Sequence, residues 1–368
     1  RIAVEATLSP RAVLLVQMQD SRTFGEEAST LDGSANQFDM HQAWLQYRVD
    51  VGRHALSARV GRQEVVLGNE RLVGAVGWSN VGRSFDAARV AFQPAGGRWQ
   101  VHGLASVVQE RGVRHGGDPA MGDHIFLGGW VESAPADIFA LHEREAAYRT
   151  FTGVDRTTVG GHLRLPEGRA LAASLEGSYQ FGNQVRSAAG DLSAQDIRAW
   201  MAGARVGYET GVRQLPRLGA GLDVLSGDVD PADGTYRAFN TLYATNHKFY
   251  GFMDLFLDPA ARTQDRGLID GFVSARIGLP ADLALDIDGH GFWLHREFAA
   301  TSDRFLGWEI DLTLPVDLGP GQRVHLGYSL FINGDAAPLI GLGSADRASH
   351  WGYIQASFAV GGRPAGLF

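Results

Sequence analysis

Cysteine is absent from the 368 residues, so disulfide scaffolds and thiolate–zinc sites are excluded. No run of about eighteen apolar residues occurs, so no stretch can cross a bilayer as a helix. Lysine is almost absent, although the exposed strands of an ordinary two-sheet protein favour Thr, Ser and Lys. Basic charge is also in deficit: the formal net charge is −8, which argues against a general nucleic-acid binder. The chain opens on Arg1 with no initiating Met and no signal-type segment, and reads as a mature or trimmed chain.

Glycine is abundant instead, at 48 residues, without collagen-like or low-complexity periodicity. Glycine is costly inside helices, so the excess points to turns and β structure. Period-two alternation dominates. In "FLGWEIDLTLP", Leu306, Trp308, Ile310, Leu312 and Leu314 alternate with Gly307, Glu309, Asp311 and Thr313. "QRVHLGYSLFI" sets Val324, Leu326, Tyr328, Leu330 and Ile332 against Arg323, His325, Gly327 and Ser329. Successive strand side chains point to opposite faces, so each strand has one apolar and one polar face. The strands run about nine to twelve residues, longer than the five or six of soluble strands and close to the length a tilted strand needs to cross a bilayer.

The connections separate a membrane barrel from a sandwich. Short ones fall at 9–11, 50–53, 94–98, 133–136, 166–168, 210–216, 279–281 and 315–321. Between them come long ones at 21–39, 63–85, 111–123, 182–196, 226–267, 295–303 and 333–349, with a shorter one at 149–156. Trim turns at one end and elaborate loops at the other are the pattern of an antiparallel up-and-down transmembrane β-barrel in a bacterial outer membrane, with short periplasmic turns and long extracellular loops. About 17 strands can be counted; even parity in such barrels predicts 18, with 16 as the fallback, and a rising strand before Arg1 would supply the difference. One barrel domain then spans 1–368, with an aqueous lumen.

If the apolar faces meet lipid, the polar partners point inward. The inward phase holds Gln46, Arg48, Arg59, Arg89, His162, Arg164, Arg205, Arg276 and Arg323, and the acidic Glu176, Asp223, Asp286, Asp288, Glu309 and Asp311. Arginines concentrate in the first half and four carboxylates on two neighbouring late strands. One reading is a charge-selective constriction with basic and acidic walls; the other is generic wet lining. The segment Gly61–Val90 carries Arg62, Glu64, Glu70, Arg71, Arg83 and Arg89 together with Val65, Val66, Leu67, Leu72, Val73 and Trp78. That is too apolar for a freely solvated loop, so 63–85 is expected to fold back into the barrel mouth, as is 226–267.

These pieces resemble the alginate-export family of outer-membrane proteins: "VGRQEVVLGNERLVG", "WSNVGRSFD" at Trp78–Asp86, "MQDSRTFGE" at Met18–Glu26, "TLYATNHKFYGFMDLF" at Thr241–Phe256 and the closing "HWGYIQASF". They are spread along most of the chain. The resemblance implies a monomeric 18-stranded pore, without cofactor, that passes an anionic saccharide or small solute. Outer-membrane lipid is then its surroundings, and periplasmic export components are its possible partners. It places Arg62, Arg71, Arg83, Asp86 and Arg89 at or near the constriction, where guanidinium forks suit transient contact with carboxylates and sugar hydroxyls.

Other readings are weaker. Asp228, Asp230, Asp233 and Gly234 miss the EF-hand register by one and fit an Asx/Pro turn better. Phe249, Tyr250, Phe252 and Phe256 either stack on sugars or pin the loop. An outer-membrane lipase or protease would have to be built from His247, His290 or His295 with Asp254, Asp286 or Asp288, and no spacing requires it. A structural docking barrel of an export assembly is the remaining alternative. Ten residues follow Phe358, as a further terminal signal or a periplasmic extension.

Overall fold

The computed structural model describes all residues except 22–37, 111–121, 147–151, 166–169, 189–190, 231, 300, 343–346 and 361–368. Most of the expected loops at 21–39 and 111–123, the turn at 166–168 and the tail beyond Phe358 therefore lie outside the described residues.

The strands form one 18-stranded sheet. They are β1 (Ile2–Ser9), β2 (Ala12–Asp20), β3 (Phe38–Val51), β4 (His54–Gln63), β5 (Phe85–Gln93), β6 (Trp99–Gln109), β7 (His124–Ser133), β8 (Ala136–Glu145) and β9 (Gly153–Arg164). They continue with β10 (Leu171–Ala188), β11 (Asp191–Glu209), β12 (Arg217–Leu225), β13 (Thr235–Tyr236), β14 (Leu268–Gly278), β15 (Ala284–Leu294), β16 (Phe305–Gly319), β17 (Gln322–Asn333) and β18 (Ala348–Phe358). Each long strand pairs antiparallel with the long strand next to it in sequence; β13 is a two-residue piece lying parallel to β11. Among the described residues no ladder joins β1 to β18.

Alternation decides which way each side chain faces. Leu45, Tyr47, Leu56, Val60, Val90, Phe92, Leu175, Leu222 and Ile354 are exposed on the outer face, where bilayer rather than water satisfies them. Two surface hollows, of about 580 and 500 Å³, lie mainly on this face between small residues such as Gly161, Gly177, Ala202 and Ala204, or Ala88, Gly103, Ala105 and Gly129. They are depressions in a lipid-facing wall whose exposed lining is mostly apolar.

The short turns sit where expected. Gly52, at φ +64° between β3 and β4, supplies the left-handed backbone that a two-residue turn needs. The expected loop at 182–196 differs. β10 and β11 run on through it to Ala188↔Asp191, because the alternation continues and Gln184 and Gln195 bond across the ladder at 3.1 Å.

The sheet curls around its loops. Asn69 and Arg71, on the segment after β4, bond Glu176 on β10 and Asp223 on β12, while Trp78 packs edge-on against Tyr353 on β18 at 4.8 Å. One loop can reach strands so far apart only from inside. Its Val65, Leu67, Leu72 and Val73 join Phe239, Phe249, Tyr250 and Phe256 of segment 226–267 and wall residues such as Phe126, Leu141, Phe292 and Phe331 in one buried apolar cluster. The long-loop end of the interior is thus packed, and polar lining is left to the short-turn half.

Candidate functional site

Residues 64–84 are held first by their ends. His41 on β3 lies 2.6 Å from Glu64 through Nε2 and 3.2 Å from the Ser84 hydroxyl through Nδ1, so one buried imidazole ties the first and last residues of the loop to the wall. Glu64 also pairs with Arg1 at 3.0 Å. The order serine, histidine, glutamate is that of a hydrolase triad, but here it links loop ends.

The tip is held by Arg71. Its guanidinium is 1% exposed and directs Nη2 to Asp223, Nε to Glu176 at 3.3 Å and Nη1 to the Tyr250 hydroxyl at 3.1 Å, with the Phe249 ring 3.7 Å away. Arg205 joins the same carboxylate, Asp223, at 2.5 Å. Burial alone would lower the pKa of Arg71; Tyr250, Asp223 and Glu176 outweigh it and hold it above the ordinary guanidinium value. Arg71 is thereby fully engaged with protein groups and faces no open space.

The second loop is laced to the first through its backbone. Gly74 donates to Tyr243 O at 2.8 Å, Tyr243 N to Leu72 O at 2.9 Å and Thr245 N to Glu70 O at 3.0 Å, with a parallel bridge at Val73↔Tyr243. Arg83 donates to the carbonyls of Tyr243 and Ala244, and Lys248 pairs with Glu70. His247 sits between Trp78 and Phe252 in a three-ring stack and bonds Asp254 at 2.7 Å. These contacts make the two loops one body, joined to the wall through Arg71.

The remaining charges divide by wall. On the β3–β6 side, Gln46, Arg48, Arg59, Arg89, Gln93, Gln100 and His102 line an inner polar cavity of about 280 Å³. Arg59 and Arg89 stand directly opposite each other in the β4–β5 register. Arg59 donates to Gln46 Oε1 at 2.7 Å and lies 3.9 Å over Trp44; Arg89 meets His102 Nδ1 at 3.1 Å. No carboxylate among the described residues is in ion-pair reach of either guanidinium. Arg48 has an exposed pairing with Asp50 at 3.5 Å.

On the other half of the sheet, β14–β16 carry the carboxylates. Asp270 bonds His290 at 3.0 Å, and Arg276 reaches Asp286 at 3.3 Å. Asp288 faces Asp311 across the β15–β16 register. Glu309 and Asp311 are buried under segment 249–254, whose Met253 N and Phe252 N they accept at 2.8 and 3.3 Å.

The other candidates are local pairs. Arg62 meets Asp86 at 3.3 Å on an exposed rim, and Arg164 meets Asp137 at 2.9 Å. Arg323 pairs with Asp317 at the short-turn end, at 2.6 Å. The structure therefore brings Arg48, Arg59 and Arg89 together, puts Arg71 with Arg205, and leaves Arg62, Arg164, Arg276 and Arg323 apart. Trp44 and His102 were not singled out from the sequence, although both lie on the inward phase of strands that carry Gln46 and Gln100. No group of three or more His, Cys, Asp or Glu side chains is placed to hold a metal among the described residues.

Comparison with known proteins follows the same lines. A family model described as alginate export matches residues 3–341. A search of curated proteins returns no match. Two solved structures from Pseudomonas aeruginosa have a similar fold. OccK10 (OpdN) has a TM-score of 0.53 at 10% identity, over 98% of this chain and 91% of that one. OccK8 (OprE) has a TM-score of 0.52 at 12% identity, over 94% and 86%.

Proposed function

The chain belongs to the alginate-export family of bacterial outer-membrane barrels, and from that premise we propose that it passes hydrophilic anions, acidic saccharides among them, selecting them at Arg59 and Arg89. The observation that carries the proposal is the like-charge pair itself. Like charges directly opposite on adjacent strands are unfavourable by about 0.2–1 kcal/mol, and most other interior arginines here have a carboxylate beside them. Two guanidiniums with no carboxylate in ion-pair reach, Glu5 and Glu132 acting on them only from further off, are poised in a polar cavity for an anion from solution. Trp44 lies beneath the Arg59 guanidinium and His102 bonds that of Arg89, so each is steadied by a neighbour without a carboxylate. Several weak contacts of this kind suit a solute that must leave as readily as it enters.

A passage, rather than an enzyme, accounts for a basic wall without a bonded nucleophile. Arg48 belongs to the proposed contact set with Arg59 and Arg89, and Asp286 and Asp288 to an opposing acidic wall that repels anions towards it. The test is the reversal potential of purified barrel in planar bilayers under a KCl gradient. Anion preference in the native chain, lost in Arg59→Gln/Arg89→Gln with conductance retained, is the expected result; an unchanged reversal potential would discard the assignment.

The packed apolar mouth favours a second reading, a barrel that docks other components and passes nothing. Absence of any single-channel step from correctly folded protein would select it.

A further inference from the structure

His102 stands on the inner wall between a guanidinium and a carboxylate, 6% exposed and lining the same polar cavity as Arg48, Arg59 and Arg89. Arg89 on β5 directs Nη2 to His102 Nδ1 at 3.1 Å. A guanidinium has donors only, so Nδ1 offers a lone pair and the imidazole hydrogen sits on Nε2. Nε2 has no close hydrogen bond, and Glu132 on β7 stands 3.5 Å from it. Directly opposite His102 are Ala91 on β5 and Trp130 on β7, neither of them titratable in this range. Arg59 and Arg48 complete the charges lining the cavity, and Glu5 on β1 acts on Arg59 from further off. Neutral His102 thus restrains one arm of Arg89 while adding no charge of its own.

We propose that His102 is a positioning residue that couples anion passage to proton uptake: a proton on Nδ1 releases Arg89 into the cavity, and an anion held there retains the proton. The inference rests on the anion-passage reading above and deepens it. A proton on Nδ1 sets an N–H against the Nη2 N–H of Arg89, donor against donor and cation against cation. Arg89 must then turn away, and a polar cavity of about 280 Å³ lies beside it. Arg59, Arg89 and His102 become three positive charges lining one cavity, a state that an anion stabilises and an empty cavity penalises. Glu132 is placed to receive the other imidazolium N–H after a small closure from 3.5 Å. By linkage, anion and proton each strengthen the binding of the other by the same factor. Arg59 has no such partner, because Gln46 accepts from it at any pH. The two arginines of one rung thus differ: Arg59 is constant and Arg89 conditional.

Two measurements on the full barrel test it. Reversal potentials in planar bilayers under a KCl gradient should show the anion-to-cation permeability ratio rising about threefold between about pH 7.5 and about pH 4.5. In His102→Gln, which keeps an acceptor for Arg89 but takes no proton, the ratio should stay level across that range. A rise that persists in His102→Gln would come from carboxylates of the acidic wall and would overturn the proposal. A native ratio that favours anions equally at every pH would overturn it while leaving the passage reading intact; no anion preference at any pH would remove both. Secondly, sulfate, which carries no proton of its own near pH 5.5, is added to detergent-solubilised barrel in weak buffer at about that pH. The native chain should take up protons in step with sulfate binding. His102→Gln, its folding checked by the heat-modifiable band, should bind sulfate without proton uptake. Uptake absent from the native chain, or equal in His102→Gln, would overturn the coupling.

Discussion

Arg59 and Arg89 occupy the same rung of the β4–β5 ladder, both facing inward, and each leans on a neutral neighbour rather than a carboxylate: Gln46 for one, His102 for the other. A pair of this kind exerts its field on whatever enters. Its reach is set by salt, since the Debye length falls from about 10 Å at 0.1 M to about 3 Å at 1 M. Anion preference should therefore be strong at 0.1 M KCl and largely gone at 1 M. Selectivity that is the same at both concentrations would place its origin elsewhere.

Arg71 is expected to behave oppositely. Its charge is matched within the protein by Glu176 and Asp223. Replacing it by Met should leave ion selectivity nearly unchanged but strip the buried Glu176 of its counter-charge and leave Asp223 to Arg205 alone, at a cost of about 3–5 kcal/mol. A large fall in the denaturant midpoint, and protease sensitivity within 64–84, are the expected readouts. Native-like stability in Arg71→Met would mean that the loop is anchored otherwise.

Gly251 and Gly52 make a matched pair. Both have positive φ, +80° and +64°, but a Cβ at Gly52 meets nothing within 4 Å whereas one at Gly251 runs into Glu309. Gly52→Ala should cost only the left-handed backbone term, about 1–2 kcal/mol. Gly251→Ala should cost that plus a clash of about 1–3 kcal/mol and should release the loop. Thermal unfolding of the two variants compares them directly, and equal shifts would contradict the close approach.

Ile354 and Gln355 test the wall itself. Ile354 is 77% exposed on the outer face, and Gln355 points inward beside it. Arginine on a lipid-facing strand position near mid-bilayer costs about 2–4 kcal/mol. Ile354→Arg should therefore fold poorly into lipid vesicles while Gln355→Arg folds normally. Equal folding efficiency would refute the lipid assignment of this face.

Some of this was readable from the residues in order. Leu306–Leu314 and Val324–Ile332 alternate strictly, and side-chain direction on a strand has period two. Face, strand count and the sorting of short turns from long loops therefore follow from local chemistry. The segment 182–196 reads as a loop in the sequence, whereas β10 and β11 run through it, with Gln184 meeting Gln195 across the ladder. Charge state was another matter. Arg71 and Arg89 are equally basic on paper, but one lies among carboxylates brought from residues 176 and 223 and the other beside His102. Whether a charge is compensated depends on neighbours far away in sequence. Periodicity is a property of successive residues, and the sequence carries it whole; compensation is a property of groups that meet across a lumen, and only the curled sheet with its loops inside decides it.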